Sequence, residues 1–159
     1  MADLERFIII HKKKENNEYE KALDEIKKGK KRSHWIWYIL PILKGLRNSK
    51  KSLYYGIKDL EEAKEYLNND LLRSHLIEMC KALLNLGKVN ITDVMGYIDD
   101  IKLKQCMTLF NQVVEQEQEQ EKEINCDNIF KKVLTQFFEG KEDQTTLDIL
   151  KAQKSEKDQ

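Results

Sequence analysis

The chain has 159 residues, 40% hydrophobic and 35% charged, and its 28 basic and 28 acidic side chains give a formal net charge of zero. This length suits one domain with a single core, and one proline with six glycines leaves little material for the turns of a sheet. The balanced charge argues against a protein that coats DNA through its overall charge, so an electrostatic function has to come from local clusters.

The amino terminus and the cysteines favour a reducing compartment. MADLERFIII begins with an acid and lacks the basic and apolar regions of a secretory signal. No apolar run approaches the roughly 20 residues of a membrane span. Cys80, Cys106 and Cys126 have neither the spacing of metal ligands nor that of a disulfide framework. We therefore expect no metal site, no membrane contact, and a location in the cytoplasm or the nucleus.

The amino-terminal third predicts three helical segments. Asp3 is placed to cap the first helix. The second ends at Gly29 and carries an apolar stripe at helical spacing, made of Tyr19, Leu23 and Ile26. The third segment begins at Ser33, a candidate N-cap. It ends at Leu40, directly before the chain's only proline.

The remainder also reads as helices. Asp59 and Glu62 predict a capping box, and further helices are expected up to Gly87 and from Asp99 onward. EQEQEQEKE is either a solvated helix extension or a flexible loop, residues 124–138 form a strong amphipathic helix, and TTLDIL adds one turn. We predict an all-α fold with a compact single domain of about seven to nine helices over residues 1–150, a non-repeat orthogonal bundle. A disordered tail follows over 151–159.

Four motifs in this order carry a family resemblance: KKRSHWIWYILP, EEAKEYL, GYIDDIKLKQCMTLF and FFEGKEDQTTL. Over roughly residues 4–150 the chain resembles domain-of-unknown-function family 1810, which sometimes carries a calpastatin-like label. The resemblance implies a compact, mostly helical single domain and supplies no reaction. The family pattern includes positions matched here by Ser33, His34, Trp35, Trp37, Pro41, Gly96, Asp99, Lys102, Thr108 and Asp143.

The chain departs from that pattern at four positions. Ile42 stands where the family usually has glutamine, and Gln105 and Cys106 stand where two serines are usual. His11 takes the place of a glutamine that is common in the first helix. If the glutamine and serine side chains that are usual at these positions line a ligand pocket in relatives, that pocket is altered in this chain.

The segment GKKRSHWIWYILPILKGL places a basic run directly before two tryptophans and a tyrosine. On a helix His34 would share a face with Tyr38, and Ser33 would share one with Trp37. An imidazole, a hydroxyl and aromatic rings could then meet in one cavity, with His34 acting as acid, base or donor near neutral pH. The structural alternative is a buried histidine with one partner, with Trp35, Trp37 and Tyr38 as core residues.

A second group of polar residues lies in the predicted helix after Gly96. Asp99 precedes Lys102 by three residues, and Lys104 precedes Thr108 by four. Their carboxylate, cations and hydroxyl suit a phosphate-bearing ligand, with Asp99 or Asp143 accepting hydrogen bonds from a ribose. The structural alternative is an acid at a helix start beside an ordinary salt bridge.

These groups favour a domain that binds a nucleotide-like small molecule, with NAD as the best candidate. Tryptophans would stack on its rings and basic residues would neutralise its phosphates. With His34 and Asp99 as the catalytic candidates, the hypothesis extends to glycosidic hydrolysis of NAD. The alternative is a DNA-binding transcription regulator, itself nucleotide-responsive, that contacts nucleic acid through the basic segment 27–33. The basic candidates are Lys27, Lys28, Lys30, Lys31 and Arg32.

Overall fold

In a computed structural model, residues 3–119 and 128–157 are described, and they form ten α-helices. The helices are α1 (Glu5–Lys12), α2 (Glu18–Lys27), α3 (Ile36–Ile39), α4 (Lys50–Tyr55), α5 (Leu60–Asn68), α6 (Asp70–Leu84), α7 (Ile91–Met95), α8 (Asp99–Glu119), α9 (Ile129–Phe138) and α10 (Gln144–Lys157). Leu43 and Ile57 add an isolated parallel β-bridge. The predicted all-α single domain is confirmed.

Side-chain caps determine where several helices begin. Asp59 Oδ1 accepts the Glu62 amide at 2.9 Å, as the sequence predicts. The Glu62 carboxylate does not reach back to complete a capping box, because it accepts the Lys58 amide and pairs with Arg6 instead. Four asparagines that the sequence analysis did not single out cap other helices: Asn17, Asn69, Asn90 and Asn128.

The core forms around α8, which packs against α5, α7, α9 and α10. Phe110 of α8 is fully buried, with its ring centroid 5.4 Å from that of Tyr66 on α5 and 5.6 Å from that of Phe130 on α9. The amino-terminal helices cover the other side of the core, since α6 packs against both α1 and α2. Trp35 lies inside this core with no exposed surface.

Three expectations differ from the structure at the level of the helices, and for the acidic repeat the helix extension is the alternative observed. Helix α1 begins at Glu5, after Leu4, and has no side-chain cap, so Asp3 does not cap it. Helix α3 begins only at Ile36 and has no side-chain cap, so Ser33 is not its N-cap. The acidic repeat continues α8 as far as Glu119, and residues 120–127 lie outside the described residues. TTLDIL belongs to α10, a 14-residue helix that runs through Lys157 in the segment where a disordered tail is predicted.

The length of each helix also bears on membrane contact. In the part of the chain that the structure describes, none of the helices has the length and apolar character needed to cross a membrane.

Candidate functional site

One buried carboxylate joins the basic run to the aromatic segment. Glu25 of α2 accepts hydrogen bonds from the Arg32 amide at 2.7 Å, the Ser33 amide at 2.9 Å, the Ser33 hydroxyl at 2.6 Å and the Trp35 indole at 2.9 Å. Burial by itself raises the pKa of Glu25, but these hydrogen bonds outweigh it and lower the pKa to about 2. The hydroxyl of Ser33 and the indole N–H of Trp35 are therefore engaged inside the protein.

Lys31 turns inward from the basic run. Its amide donates to the Val94 carbonyl at 2.7 Å, and its ammonium group lies 2.7 Å from Asp99 Oδ2 and also donates to the Ser33 carbonyl. The same ammonium lies 4.9 Å from the centre of the Trp35 ring. Only 5% of the Lys31 side chain is exposed. This lysine therefore links the aromatic segment to the start of α8.

Lys102 completes the arrangement from the first turn of α8. Its ammonium lies 3.3 Å from Asp99 Oδ1 and 4.3 Å from the centre of the Trp37 ring, a cation–π contact. Trp37 is partly buried, whereas Trp35 is fully buried. The two oxygens of Asp99 thus face two ammonium groups beside a partly exposed indole.

Two large apolar residues directly precede Asp99 and are exposed. Tyr97 is 77% exposed and Ile98 is 39% exposed. Ile98 has a φ of 84°, a left-handed conformation that is strained for a β-branched residue. Lys102 contacts both Trp37 and Asp99, and Tyr97 and Ile98 directly precede Asp99 along the chain. We call these five residues the Trp37 surface.

Tyr97 and Ile98 were not among the residues predicted for a functional site. The sequence feature that could have indicated them is a pair of apolar residues between Gly96 and the two acidic residues that begin α8, a pair that belongs to no apolar stripe of a helix.

His34 precedes Trp37 by three residues and is exposed. It precedes α3, so the helical face that it was expected to share with Tyr38 does not exist, and the same holds for Ser33 and Trp37. The Tyr38 hydroxyl instead donates to the His34 carbonyl at 3.1 Å. The alternative of a buried His34 is wrong, while the ring of Tyr38 is a buried core residue.

Thr108 and Asp143 form a separate structural unit. Thr108 is fully buried, and its hydroxyl donates to the Lys104 carbonyl at 2.8 Å and accepts the Asp143 amide at 2.9 Å. Asp143 Oδ2 accepts the Thr146 amide at 2.9 Å in the first turn of α10. Thr108 follows Asp99 by nine residues in α8, a rise of about 14 Å. Thr108 and Asp143 are therefore not brought to the Trp37 surface, and Lys104 is partly buried on the same helix.

The basic segment 27–33 does not present all its cations together. Lys28 pairs with Asp24 at 2.9 Å, Lys30 donates to the Asp93 carbonyl at 3.1 Å, and Lys31 is buried against Asp99. Lys27 and Arg32 are exposed. Nucleic-acid binding through this segment stays a prediction.

Two cavities lie elsewhere. One of about 420 Å³ lies between α5, α8 and α10, with Leu60, Glu115 and Lys154 in its wall. One of about 730 Å³ adjoins α9, with Lys131 and Gln136 in its wall. None of the residues predicted for a functional site lines either cavity.

The departures from the family pattern are all buried. Ile42, Gln105, Cys106 and His11 are at most 6% exposed. Burial also raises the pKa of the Cys106 thiol well above its usual value, so this cysteine is a core residue and a poor nucleophile. Within residues 3–119 and 128–157, no group of three His, Cys, Asp or Glu side chains is arranged to hold a metal ion.

Comparisons with known proteins support the fold. The structure is similar to the crystal structure of the conserved hypothetical protein Rv1873 from Mycobacterium tuberculosis, with a TM-score of 0.80 and 33% sequence identity over 93% of this chain and 96% of that chain. No curated protein shows significant similarity to this chain. A family model described as "Protein of unknown function (DUF1810)" matches residues 1–150, and the chain therefore belongs to the DUF1810 family.

Proposed function

We propose that this protein binds a nucleotide at the Trp37 surface, with NAD as the best candidate. The observation that supports the proposal is the position of the Lys102 ammonium, 4.3 Å from the Trp37 ring and 3.3 Å from Asp99. The partly exposed Trp37 would stack a base on the ring face that Lys102 does not cover, the Lys102 ammonium would contact a phosphate, and a carboxylate can accept from ribose hydroxyls. Each part of a nucleotide thus has a counterpart of suitable chemistry within one short region.

The local charge also favours an anionic ligand. Lys31 and Lys102 share a single carboxylate, Asp99, and the exposed Arg32 follows Lys31 along the chain. The excess positive charge would attract phosphate even though the whole chain is neutral. The Glu25 hydrogen bonds to Ser33 and Trp35 hold the segment that carries these cations, so binding would require little ordering of the backbone.

We propose binding alone, without glycosidic hydrolysis. Hydrolysis would require a carboxylate that can stabilise positive charge developing on the ribose. Lys31 and Lys102 already hold the two oxygens of Asp99, at 2.7 Å and 3.3 Å. A carboxylate neutralised in this way is poorly placed to stabilise a second cation.

The test is calorimetric titration with NAD, ADP-ribose and nicotinamide, on the wild type and on Lys102→Met and Trp37→Leu. We expect saturable heat with NAD and ADP-ribose, and an affinity about tenfold lower in each variant, which corresponds to about 1.4 kcal/mol. Lys81→Met, which removes an exposed lysine of α6, is the matched control and should bind as the wild type does. Circular dichroism checks that all variants fold.

Two results would remove the proposal. One is the absence of heat with all three compounds. The other is binding of NAD that Lys102→Met, Trp37→Leu and Lys81→Met leave equally unchanged, because the ligand would then lie elsewhere.

A further inference from the structure

Two histidines from different helices face each other through the same ring atom. His11 Nδ1 of α1 lies 2.8 Å from His75 Nδ1 of α6. The ring centroids are 5.0 Å apart and the ring planes differ by 17°, so the two imidazoles meet nearly edge to edge. His11 Nε2 lies 2.8 Å from the Tyr38 carbonyl oxygen at the end of α3. This pair therefore connects three helices.

The partners fix where the protons are. A carbonyl oxygen only accepts, so His11 Nε2 carries a hydrogen and donates it to Tyr38. A neutral His11 then has a lone pair at Nδ1, and His75 Nδ1 has to supply the hydrogen between the rings. His75 Nε2 is left as the nitrogen that can take the next proton.

The edge-to-edge geometry favours a hydrogen bond over a bound metal. At 2.8 Å two nitrogens whose lone pairs point at each other leave no room for an ion between them, since each metal–nitrogen bond is about 2.0 Å long. The same separation is normal for an N–H donor and a nitrogen acceptor. The proton is therefore the chemical species that suits this site.

The two imidazoles differ in their neighbours and in their exposure to solvent. From α2, the Tyr19 ring stacks on His75 with centroids 3.5 Å apart, and its hydroxyl donates to Glu78 of α6. His75 is partly exposed; burial lowers its pKa, and the nearby Glu78 carboxylate opposes this by favouring a positive charge on the ring. His11 is 4% exposed, and burial lowers its pKa to about 4. Burial and the charge of Glu18 on α2 both raise the pKa of the neighbouring Tyr38.

We propose that His11 and His75 form an acid-sensitive latch that holds α1 against α3 and α6. One added proton goes to His75 Nε2 and leaves the bond between the rings in place. A second added proton has to enter at His11 Nδ1, where it meets the N–H of His75 and breaks that bond. Acid then separates α1 from its two partners.

The first measurement uses the unmodified protein. Long-range ¹H–¹⁵N spectra of the ring nitrogens, recorded from pH 7.5 to 4, should show His11 protonated at Nε2 and His75 protonated at Nδ1 at the neutral end. His75 Nε2 should gain a proton before His11 does. His11 protonated at Nδ1 at neutral pH, or His11 gaining its second proton before His75 gains one, would overturn the proposal.

The second measurement uses His11→Gln, with His34→Gln as the matched control. A glutamine can donate its amide hydrogen to the Tyr38 carbonyl and accept from His75 with its oxygen, but it cannot take the second proton. Hydrogen-exchange protection of the α1 amides should fall by up to about tenfold per pH unit between pH 6.5 and 4 in the wild type and in His34→Gln. In His11→Gln this fall should be absent. An equal fall in all three proteins, or no fall in the wild type, would contradict the latch.

Discussion

Single side chains in this protein are engaged by partners that the linear sequence does not reveal. Ser33 and Trp35 appeared as ligand-binding candidates, yet both donate to Glu25. Glu25 was not predicted to have a role, because an acidic residue in an amphipathic helix is usually exposed to solvent. Its role depends on the chain returning over α2 seven to ten residues later, which is a tertiary event. The aromatic segment is thus positioned by a carboxylate that reading the motif alone does not find.

The first prediction concerns Glu25→Gln. The Arg32, Ser33 and Trp35 N–H groups all donate to Glu25 Oε1, and a neutral amide oxygen is a weaker acceptor for three donors than a carboxylate oxygen. The amide also puts an NH₂ group in place of Oε2, which accepts the Ser33 hydroxyl. We expect the free energy of unfolding in urea at pH 7 to fall by about 2 to 4 kcal/mol. Glu20→Gln, at an exposed position of α2, should change it by less than about 0.5 kcal/mol.

The pH dependence follows from the same carboxylate. The pKa of Glu25 is about 2 in the folded chain, below its ordinary value, so its stabilising effect is complete above the ordinary pKa and is lost as the pH falls toward 2. The stability difference between the wild type and Glu25→Gln should therefore be constant from pH 7 to 5 and shrink between pH 4.5 and 2. A difference that does not change across that range would contradict the assigned hydrogen bonds.

Sequence patterns predicted the long helices correctly and the short or surface helices less well. Apolar spacing identified α6, α8 as far as Phe110 and all of α9, because a helix that buries one face has a clear period. Helix α3 has four residues, too few to show a period, and its neighbours were assigned to it wrongly. Helix α10 has a weak apolar pattern because it covers the surface of α8, and its length was underestimated.

The second prediction concerns the segment between α4 and α5. Gly56 precedes the β-bridge residue Ile57, and a Cβ built on Gly56 would lie 2.5 Å from the Ser52 carbonyl oxygen and 2.8 Å from Lys44 Cα. Because the first contacts are backbone atoms, Gly56→Ala should lower the free energy of unfolding by about 2 to 3 kcal/mol in a urea titration. Gly87→Ala meets no atom within 4 Å, although its φ of 71° adds strain. It should cost only about 1 kcal/mol, and a larger loss than in Gly56→Ala would contradict the packing described.

The whole molecule depends on α8, which supplies both the core and the start of the Trp37 surface. Asp99 and Thr108 are on the same helix, and the sequence grouped them as one site. The helix carries Asp99 to Lys31 and Trp37 at one end, while Thr108 meets Asp143 about 14 Å further along. Family membership, helical class and the Asp99–Lys102 pair could be read from the sequence. The strained backbone of Ile98 could not, because the identity of a residue does not give its φ.

The third prediction tests the core around α8. Phe110 contacts Tyr66 and Phe130, which lie on two neighbouring helices, and has no exposed surface. Phe110→Ala leaves a cavity where three helices meet and should lower the free energy of unfolding by about 3 to 5 kcal/mol. Phe110→Leu retains most of the volume and should lose clearly less. Equal small losses in urea unfolding would show that α8 is not central to stability.

The nucleotide proposal is tested most directly by the indole N–H signals of the two tryptophans in ¹H–¹⁵N spectra during a titration with NAD. Trp35 is buried and donates to Glu25 at 2.9 Å, whereas Trp37 is partly exposed beneath Lys102. We predict that the Trp37 signal shifts saturably with NAD and that the Trp35 signal changes far less. Two signals that stay in place at millimolar NAD, or a shift of Trp35 alone, would contradict binding at the Trp37 surface.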